Sequence, residues 1–253
     1  MHRLPPLQTV STGFVAAIVG FFSSFPIVLQ GLTSVGASAS QAASGLLFAA
    51  LAMGIAGIFL SLWKREPISV AWSTPGVALL AITPATQGGF NEAVFGFLIA
   101  GVLTVLAGLW RPLGRLITMI PGAIAQAMLA GVLISLCLVP FQALAETPLT
   151  AAPIVLTWFL VGLVNRLYAV PAAVVMALVI VGWSNGFDIP LGETLLTQPE
   201  VTWPTPGIAG VLTIGIPLFI VTMATQNIPG IAVLRSYGYT PPPGPLLTTV
   251  GVA

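Results

Sequence analysis

The sequence predicts an all-α polytopic membrane protein with about eight complete transmembrane segments and the start of a ninth. Three observations predict it. Hydrophobic residues make up 57% of the 253, and mean hydropathy is +1.06, far above the range of soluble domains. The 7 basic and 6 acidic residues fall in the gaps between long apolar runs. Trp63, Trp110, Trp183 and Trp203 stand at run ends, where an aromatic belt meets the headgroups.

The charges also sort by side. In order come Arg3, then Lys64, Arg65 and Glu66, then Glu92, then Arg111 and Arg115. Glu146, Arg166, the group Asp188, Glu193 and Glu200, and Arg235 follow. If each apolar run crosses once, every Lys and Arg lies on one face, and all acids except Glu66 on the other. The positive-inside rule then places the N-terminus in the cytoplasm. A soluble chain has no reason to show this alternation. A net charge of +1 gives no support for nucleic-acid binding. The single cysteine, Cys137, lies inside an apolar run and reads as a small hydrophobe, so no disulfide framework arises.

A bilayer core of ~30 Å needs ~20 helical residues. On that measure the spans read 11–35, 41–63, 67–87, 91–110, 119–140, 151–165, 168–184 and 207–234, with a ninth opening near Pro245. The first run is too long for a signal-peptide core and shows no cleavage site, so it reads as a retained helix. The sixth span is short, and its boundary with the seventh is the least defined. The loop 185–206, with three acids and four prolines, is expected outside. The chain stops on an apolar segment, which reads as a fragment or a truncated coding sequence. Ser23-Ser24-Phe25-Pro26 ahead of Gly36 is echoed by Thr225-Gln226-Asn227-Ile228-Pro229 ahead of Gly238. An eighth span resembling the first implies a repeat of seven. Seven is odd, so a second copy would be inverted in the membrane, a recurring transporter design. The domains then read 1–184 as the first repeat, 185–206 as an external loop, and 207–253 as the start of the second.

The sharpest local feature is the run Pro67 to Gly76, which reads PISVAWSTPG. Pro75 inside a continuous helix would remove a backbone bond and crowd the preceding turn, and it disfavours helix at Thr74. Ile68 to Trp72 is rich in strand formers. Thr74 suits an N-cap and Pro75 the first helical position. The third segment is therefore expected to enter extended and turn helical halfway, as half strand and half helix. Five extended residues cover ~16 Å, so the helix would begin near the midplane. A helix start there offers unpaired N–H groups and a partial positive charge, and can hold an anion without Lys or Arg. The structural alternative is a proline-kinked helix with no ligand.

A second polar cluster, Thr225, Gln226 and Asn227 beside Pro229 and Gly230, lies in the eighth span. Mid-membrane amides are costly unless hydrogen-bonded, so they either line a cavity or tie helices together. The cavity reading is favoured, because the proline and glycine loosen the backbone there. Ser23, Ser24 and Gln30 form a weaker set, for which helix packing serves equally well, and Gln126 reads as structural. No carboxylate, His or Lys falls mid-span, so no intramembrane proton carrier is visible. Glu92 sits at an outer helix start, where an acid complements the dipole. His2 is terminal and reads as inert. There is no HExxH, nucleotide-binding loop or metal-ligand spacing, which argues against an enzyme, an ATP-driven pump, a metal or a cofactor.

Several stretches together resemble the benzoate membrane transport protein family of benzoate/proton symporters. The strongest are AWSTPGVALL at 71–80 and IPLFIVTMATQNIPG at 216–230; IPGAIAQAMLAG at 120–131 and GFVAAIVG at 13–20 also look like the family. The likeness runs along essentially the whole chain. It implies distant kinship with nucleobase and sulfate/bicarbonate transporters, and so a seven-plus-seven inverted-repeat fold whose third and tenth segments meet near the substrate. By that comparison the chain holds the first repeat and only the start of the second. Where the nucleobase relatives carry a glutamate in the eighth span, this chain reads Ala224-Thr-Gln-Asn227, as suits a carboxylate substrate that an acid would repel.

The resemblance implies a multi-pass secondary carrier in the inner membrane, taking up benzoate or a similar small aromatic carboxylate with protons. The carboxylate is expected on Ser73, Thr74 and Gly76, with Trp72 beside the ring. Thr225, Gln226 and Asn227 are expected opposite, and Ser23 and Ser24 as a further set. The partners are the aromatic anion, protons and the lipid bilayer, with a homo-oligomer left open. Two alternatives stand: a carrier of another anion of nucleobase or sulfate type, or a non-transporting membrane protein whose polar clusters act as helix glue.

Overall fold

A computed structural model describes residues 7–110, 112, 122–185, 198–240 and 242–253. His2, Arg3, Arg111, Arg115, Asp188, Glu193 and the Ile120-Pro121 start of the fifth span lie outside the described residues, as does the side chain of Gln126. The described chain is helical throughout its regular structure. In order come α1 (Leu7–Ser34), α2 (Ala39–Lys64), α3 (Thr74–Ala81), α4 (Gly89–Leu109) and α5 (Gly122–Glu146). Next are α6 (Pro148–Val164), α7 (Arg166–Asn185), α8 (Gly210–Ser236) and α9 (Pro243–Val252).

Each expected span meets a helix, but the described helices divide by length. Five are long and apolar enough to cross a membrane, namely Thr9–Ser34 of α1, α2, α4, Arg166–Ser184 of α7, and α8. The apolar stretches Cys137–Glu146 and Pro148–Val164 are shorter. In the third span the helix, α3, has only 8 residues.

The chain divides into two compact units, Met1–Pro26 with Ser135–Leu195, and Ile27–Ile134 with Leu196–Ala253. In the first unit α6 and α7 pack together, and a single residue turns the chain between them. Asn165 is extended (φ −153°, ψ 113°) and its Oδ1 accepts from the Leu167 amide at 3.0 Å. Asn165 thus closes α6 and caps α7 at once, which is why the sixth and seventh spans ran together in the sequence. On α1, Phe21 stacks on Phe25 with centroids 5.6 Å apart.

The second unit is built round α4, whose glycines let two helices close on it. A Cβ at Gly96 would stand 2.6 Å from the Gly210 carbonyl of α8, and one at Gly215 would stand 2.9 Å from the Gly96 carbonyl. On α9 the approach is reciprocal and doubled. A Cβ at Gly101 would stand 2.8 Å from the Gly251 carbonyl and one at Gly251 2.8 Å from the Gly101 carbonyl, while Cβ atoms at Gly108 and Gly244 would stand 2.7 and 2.8 Å from each other's carbonyls. With no hydrophobic drive between helices in lipid, such close backbone approach is how apolar helices gain contact. Ala100, Ala107, Phe219, Met223 and Leu247 fill one core cluster between these helices, and Val35, Leu80, Phe90, Ala93 and Ile214 another.

Helix α8 contains two π-helical turns, Gly210–Gly215 and Met223–Asn227, and each ends two residues before a proline. Ile216 donates to the Val211 carbonyl ahead of Pro217, and Ile228 to the Met223 carbonyl ahead of Pro229. A proline ring crowds the carbonyl four residues back, and widening the preceding turn relieves that crowding without breaking the helix. Each turn also holds a threonine four residues before its proline. Thr213 Oγ1 donates to the Ala209 carbonyl and Thr225 Oγ1 to the Val221 carbonyl, both at 2.7 Å. In lipid every backbone carbonyl needs a donor, and the hydroxyls supply one where the ladder is disturbed.

Candidate functional site

The site lies within the second unit, where the extended residues 67–73 run into α3. Residues 67–73 carry no helical or strand hydrogen-bond pattern. The first half of the third segment is thus irregular and not a strand: Ile68 and Val70 favour extended geometry, but no neighbouring strand pairs with them. Side chains take the ladder's place. Ser61 Oγ donates to the Ile68 carbonyl at 2.8 Å, and the Trp72 amide donates to Met53 Sδ at 2.8 Å. Gln226 Nε2 donates to both the Ala71 and Trp72 carbonyls, at 2.7 and 3.0 Å. Backbone without a ladder must find partners elsewhere in the protein, and α2 and α8 provide them.

The helix then begins one residue earlier than the expected cap. Ser73, not Thr74, is the N-cap: it is extended (φ −79°, ψ 97°), and its Oγ accepts from the Gly76 amide at 3.1 Å. Ser73 wins because the residue two before Pro75 can stay extended while Thr74 already enters the helix. Among the leading amides, Pro75 has none, Gly76 serves the cap, and Val77 donates to the Ser73 carbonyl at 2.8 Å. That leaves the Thr74 amide, together with the Ser73 hydroxyl hydrogen, as donors at this end. The helix is held flush. A Cβ on Gly76 would stand 2.7 Å from Leu218 Cδ1 and 3.0 Å from Thr222 Oγ1, while Val77 is close against Gly31. At the far end Ser34 Oγ donates to the Ala81 carbonyl at 3.1 Å.

Beside this junction lies a cavity of about 480 Å³, a size that takes small organic ligands. Phe48, Trp72, Phe90, Phe97 and Phe219 give it aromatic walls, and Ser73, Thr104 and Asn227 are among its polar groups. Of the residues singled out in the sequence, Trp72, Ser73 and Asn227 line it. Gly76 is buried behind the cap. Thr225 spends its hydroxyl on α8, and Gln226 spends both amide hydrogens on the extended segment. Asn227 Nδ2 donates to Met223 Sδ at 3.2 Å. Ser23 and Ser24 belong to the other unit, where both hydroxyls donate to the Gly20 carbonyl, at 3.2 and 2.7 Å.

Two long-range pairings escaped the sequence reading. Ser44 is 1% exposed, and its hydroxyl donates to the Glu200 carbonyl (3.2 Å) and accepts from the Glu200 amide (2.9 Å). Glu92 is buried at the start of α4, where its carboxylate accepts from the Gly88 amide (3.1 Å) and the Gly210 amide (3.0 Å). It does more than complement a dipole, because it ties the start of α8 to α4. Gly207 and Gly210 leave room for it.

Residues 5–253 match the family model described as benzoate membrane transport protein. Among curated proteins, the inner membrane protein YdcO of Escherichia coli K12 is 36% identical over 254 residues, covering 100% of this chain and 64% of that protein. The benzoate membrane transport protein of Acinetobacter baylyi is 28% identical over 253 residues, covering 98% of this chain and 62% of that protein. The chain thus spans just under two thirds of the length of these relatives. No solved structure matches.

Proposed function

The chain belongs to the benzoate membrane transport protein family, and on that premise we propose that it carries benzoate or a similar small aromatic carboxylate across the inner membrane, driven by protons. The observation that carries this reading is the aromatic-walled cavity beside a capped helix start in mid-segment. In it the carboxylate takes the Ser73 hydroxyl and the Thr74 amide, in the favourable field of the α3 N-terminus. The ring lies against Trp72 and the phenylalanines, and Asn227 closes the polar side. Gln226 holds the junction in shape. The fold proposed is the first repeat of a seven-plus-seven inverted pair with the opening of the second, N-terminus in the cytoplasm, and transport proceeds by alternating access.

The test is uptake of radiolabelled benzoate into vesicles carrying the full-length protein, with and without an inward proton gradient. A Ser73→Ala/Asn227→Leu variant is expected to lose about a hundredfold or more in uptake at low substrate, as two hydrogen bonds to a charged group are worth about 3 kcal/mol. Vesicles that take up no more than empty ones, despite correct insertion, would sink the reading. Trp72→Ala discriminates the anion, since a sulfate carrier has no use for an indole. Full benzoate uptake by that variant would show that the indole does not hold the ring.

A further inference from the structure

Helix α8 carries three threonines, Thr213, Thr222 and Thr225. Thr213 and Thr225 return their hydroxyls to the backbone four residues back. Thr222 does not, and its hydroxyl has no hydrogen-bond partner among the described residues. Nor is it sealed in, since Glu66 Oε2 is the one buried side-chain polar atom among the described residues that lacks a partner. An uncommitted hydroxyl on an apolar, span-length helix calls for an explanation. The gap at Gly76 shows where that hydroxyl lies. A Cβ built on Gly76 would stand 2.9 Å from Ser73 Oγ, 3.0 Å from Thr222 Oγ1 and 2.7 Å from Leu218 Cδ1. The two hydroxyl oxygens thus converge on one point, from α3 and from α8. Ser73, Leu218 and Thr222 all line the cavity. Ser73 Oγ already accepts from the Gly76 amide and has its hydrogen left to donate, whereas the whole Thr222 hydroxyl is available.

We propose that Thr222 is a further substrate-binding residue, whose hydroxyl donates to one carboxylate oxygen while Ser73 serves the other. The inference rests on the proposed function, which places the carboxylate at Ser73. Gly76 is needed there, because any side chain would fill the space between the two hydroxyls. The arrangement also sets a preference among aromatic acids. A hydroxyl ortho to the carboxylate, as in 2-hydroxybenzoate, bonds to one carboxylate oxygen within the substrate itself. That oxygen gains less from a protein donor, so Thr222 favours benzoate over its 2-hydroxy analogue.

Thr222→Val tests it, because the shape is nearly kept and no hydrogen bond within the protein is lost. In vesicles carrying the full-length protein, the KM for benzoate uptake is expected to rise about tenfold, as the loss of one hydrogen bond to a charged group implies. The inhibition constant of 2-hydroxybenzoate against that uptake should rise by about threefold or less. Thr222→Ser restores the hydroxyl and should bring both values back to within about threefold of the wild type. An unchanged KM in Thr222→Val overturns the proposal. So do equal losses for the two acids, which would mark a general change in the shape of the cavity. Where Thr222→Val does not insert, Thr222→Cys in a Cys137→Ser background reads the contact instead. Benzoate at about ten times its Kd should slow alkylation of the introduced thiol about tenfold, and undiminished alkylation overturns the proposal. Wild-type vesicles that take up no benzoate sink the proposed substrate and this role with it, whereas wild-type uptake that Thr222→Val leaves intact sinks this role alone.

Discussion

Helix α8 carries the same backbone device twice, and the two copies serve different ends. Thr213-Ile214-Gly215-Ile216-Pro217 and Thr225-Gln226-Asn227-Ile228-Pro229 share a threonine, an isoleucine and a proline at matching places. Both widen into a π turn, and both return the threonine hydroxyl to the carbonyl four residues back. They differ in the two residues between. In the first, Ile214 is fully buried and Gly215 lies against the Gly96 carbonyl, so the turn serves packing. In the second, Gln226 and Asn227 reach the extended segment and the cavity. Proline and threonine set the deformation, and the intervening pair decides what it is used for.

The comparison can be broken most violently in the first turn. Gly215→Val adds a side chain where even a Cβ would be 2.9 Å from the Gly96 carbonyl and 3.3 Å from Ile99 Cβ. A loss of about 3 kcal/mol is expected, read as a large fall in melting temperature in detergent. Transplanting the first turn's pair into the second, as Gln226→Ile/Asn227→Gly, should keep the π turn and cost about 2 kcal/mol for the carbonyls of Ala71 and Trp72 left without a donor. Benzoate uptake should then fall by tenfold or more while the protein stays inserted.

A finer cut removes the cause and keeps the side chains. Pro229→Ala restores the amide that permits an ordinary α turn, so stability should move by no more than about 1 kcal/mol. Relaxing the wide turn rotates Gln226 away from the extended segment, and uptake should drop although no polar group was removed. Unchanged uptake would show that the widened turn does not position Gln226. The smallest effects are expected from Thr213→Ala and Thr225→Ala, at about 0.5–1 kcal/mol each. Equal losses in paired melting curves would establish the two threonines as the same device, and a clear inequality would separate them.

What was legible in the sequence follows the range of the interaction. The helical spans, the break at Pro75 and the cap before it are local, set by apolar runs and by the geometry a proline allows. The cap was misplaced by one residue because serine and threonine cap alike, and only the backbone decides between Ser73 and Thr74. Half a strand was expected from Ile68 and Val70, yet a strand needs a neighbour, and here side chains of α2 and α8 stand in for one. Gln226 was picked out as a mid-membrane amide, but its partners, 154 and 155 residues away, were not. Ser44 with Glu200, 156 residues apart, and Glu92 with Gly210, 118 apart, are pairings that no periodicity encodes. The doubled threonine–proline turn was there to be read, and its signal is the recurring isoleucine–proline step.

The paired glycines of α4 and α9 have a mechanical consequence. Gly101 meets Gly251 and Gly108 meets Gly244, so the contacts recur at a spacing of seven on antiparallel helices. A slip of α9 by one residue, or by one turn, would set side chains against backbone at both points together. The two helices therefore have a single notch in which they mesh, and a load applied along one is passed whole to the other instead of being lost in sliding.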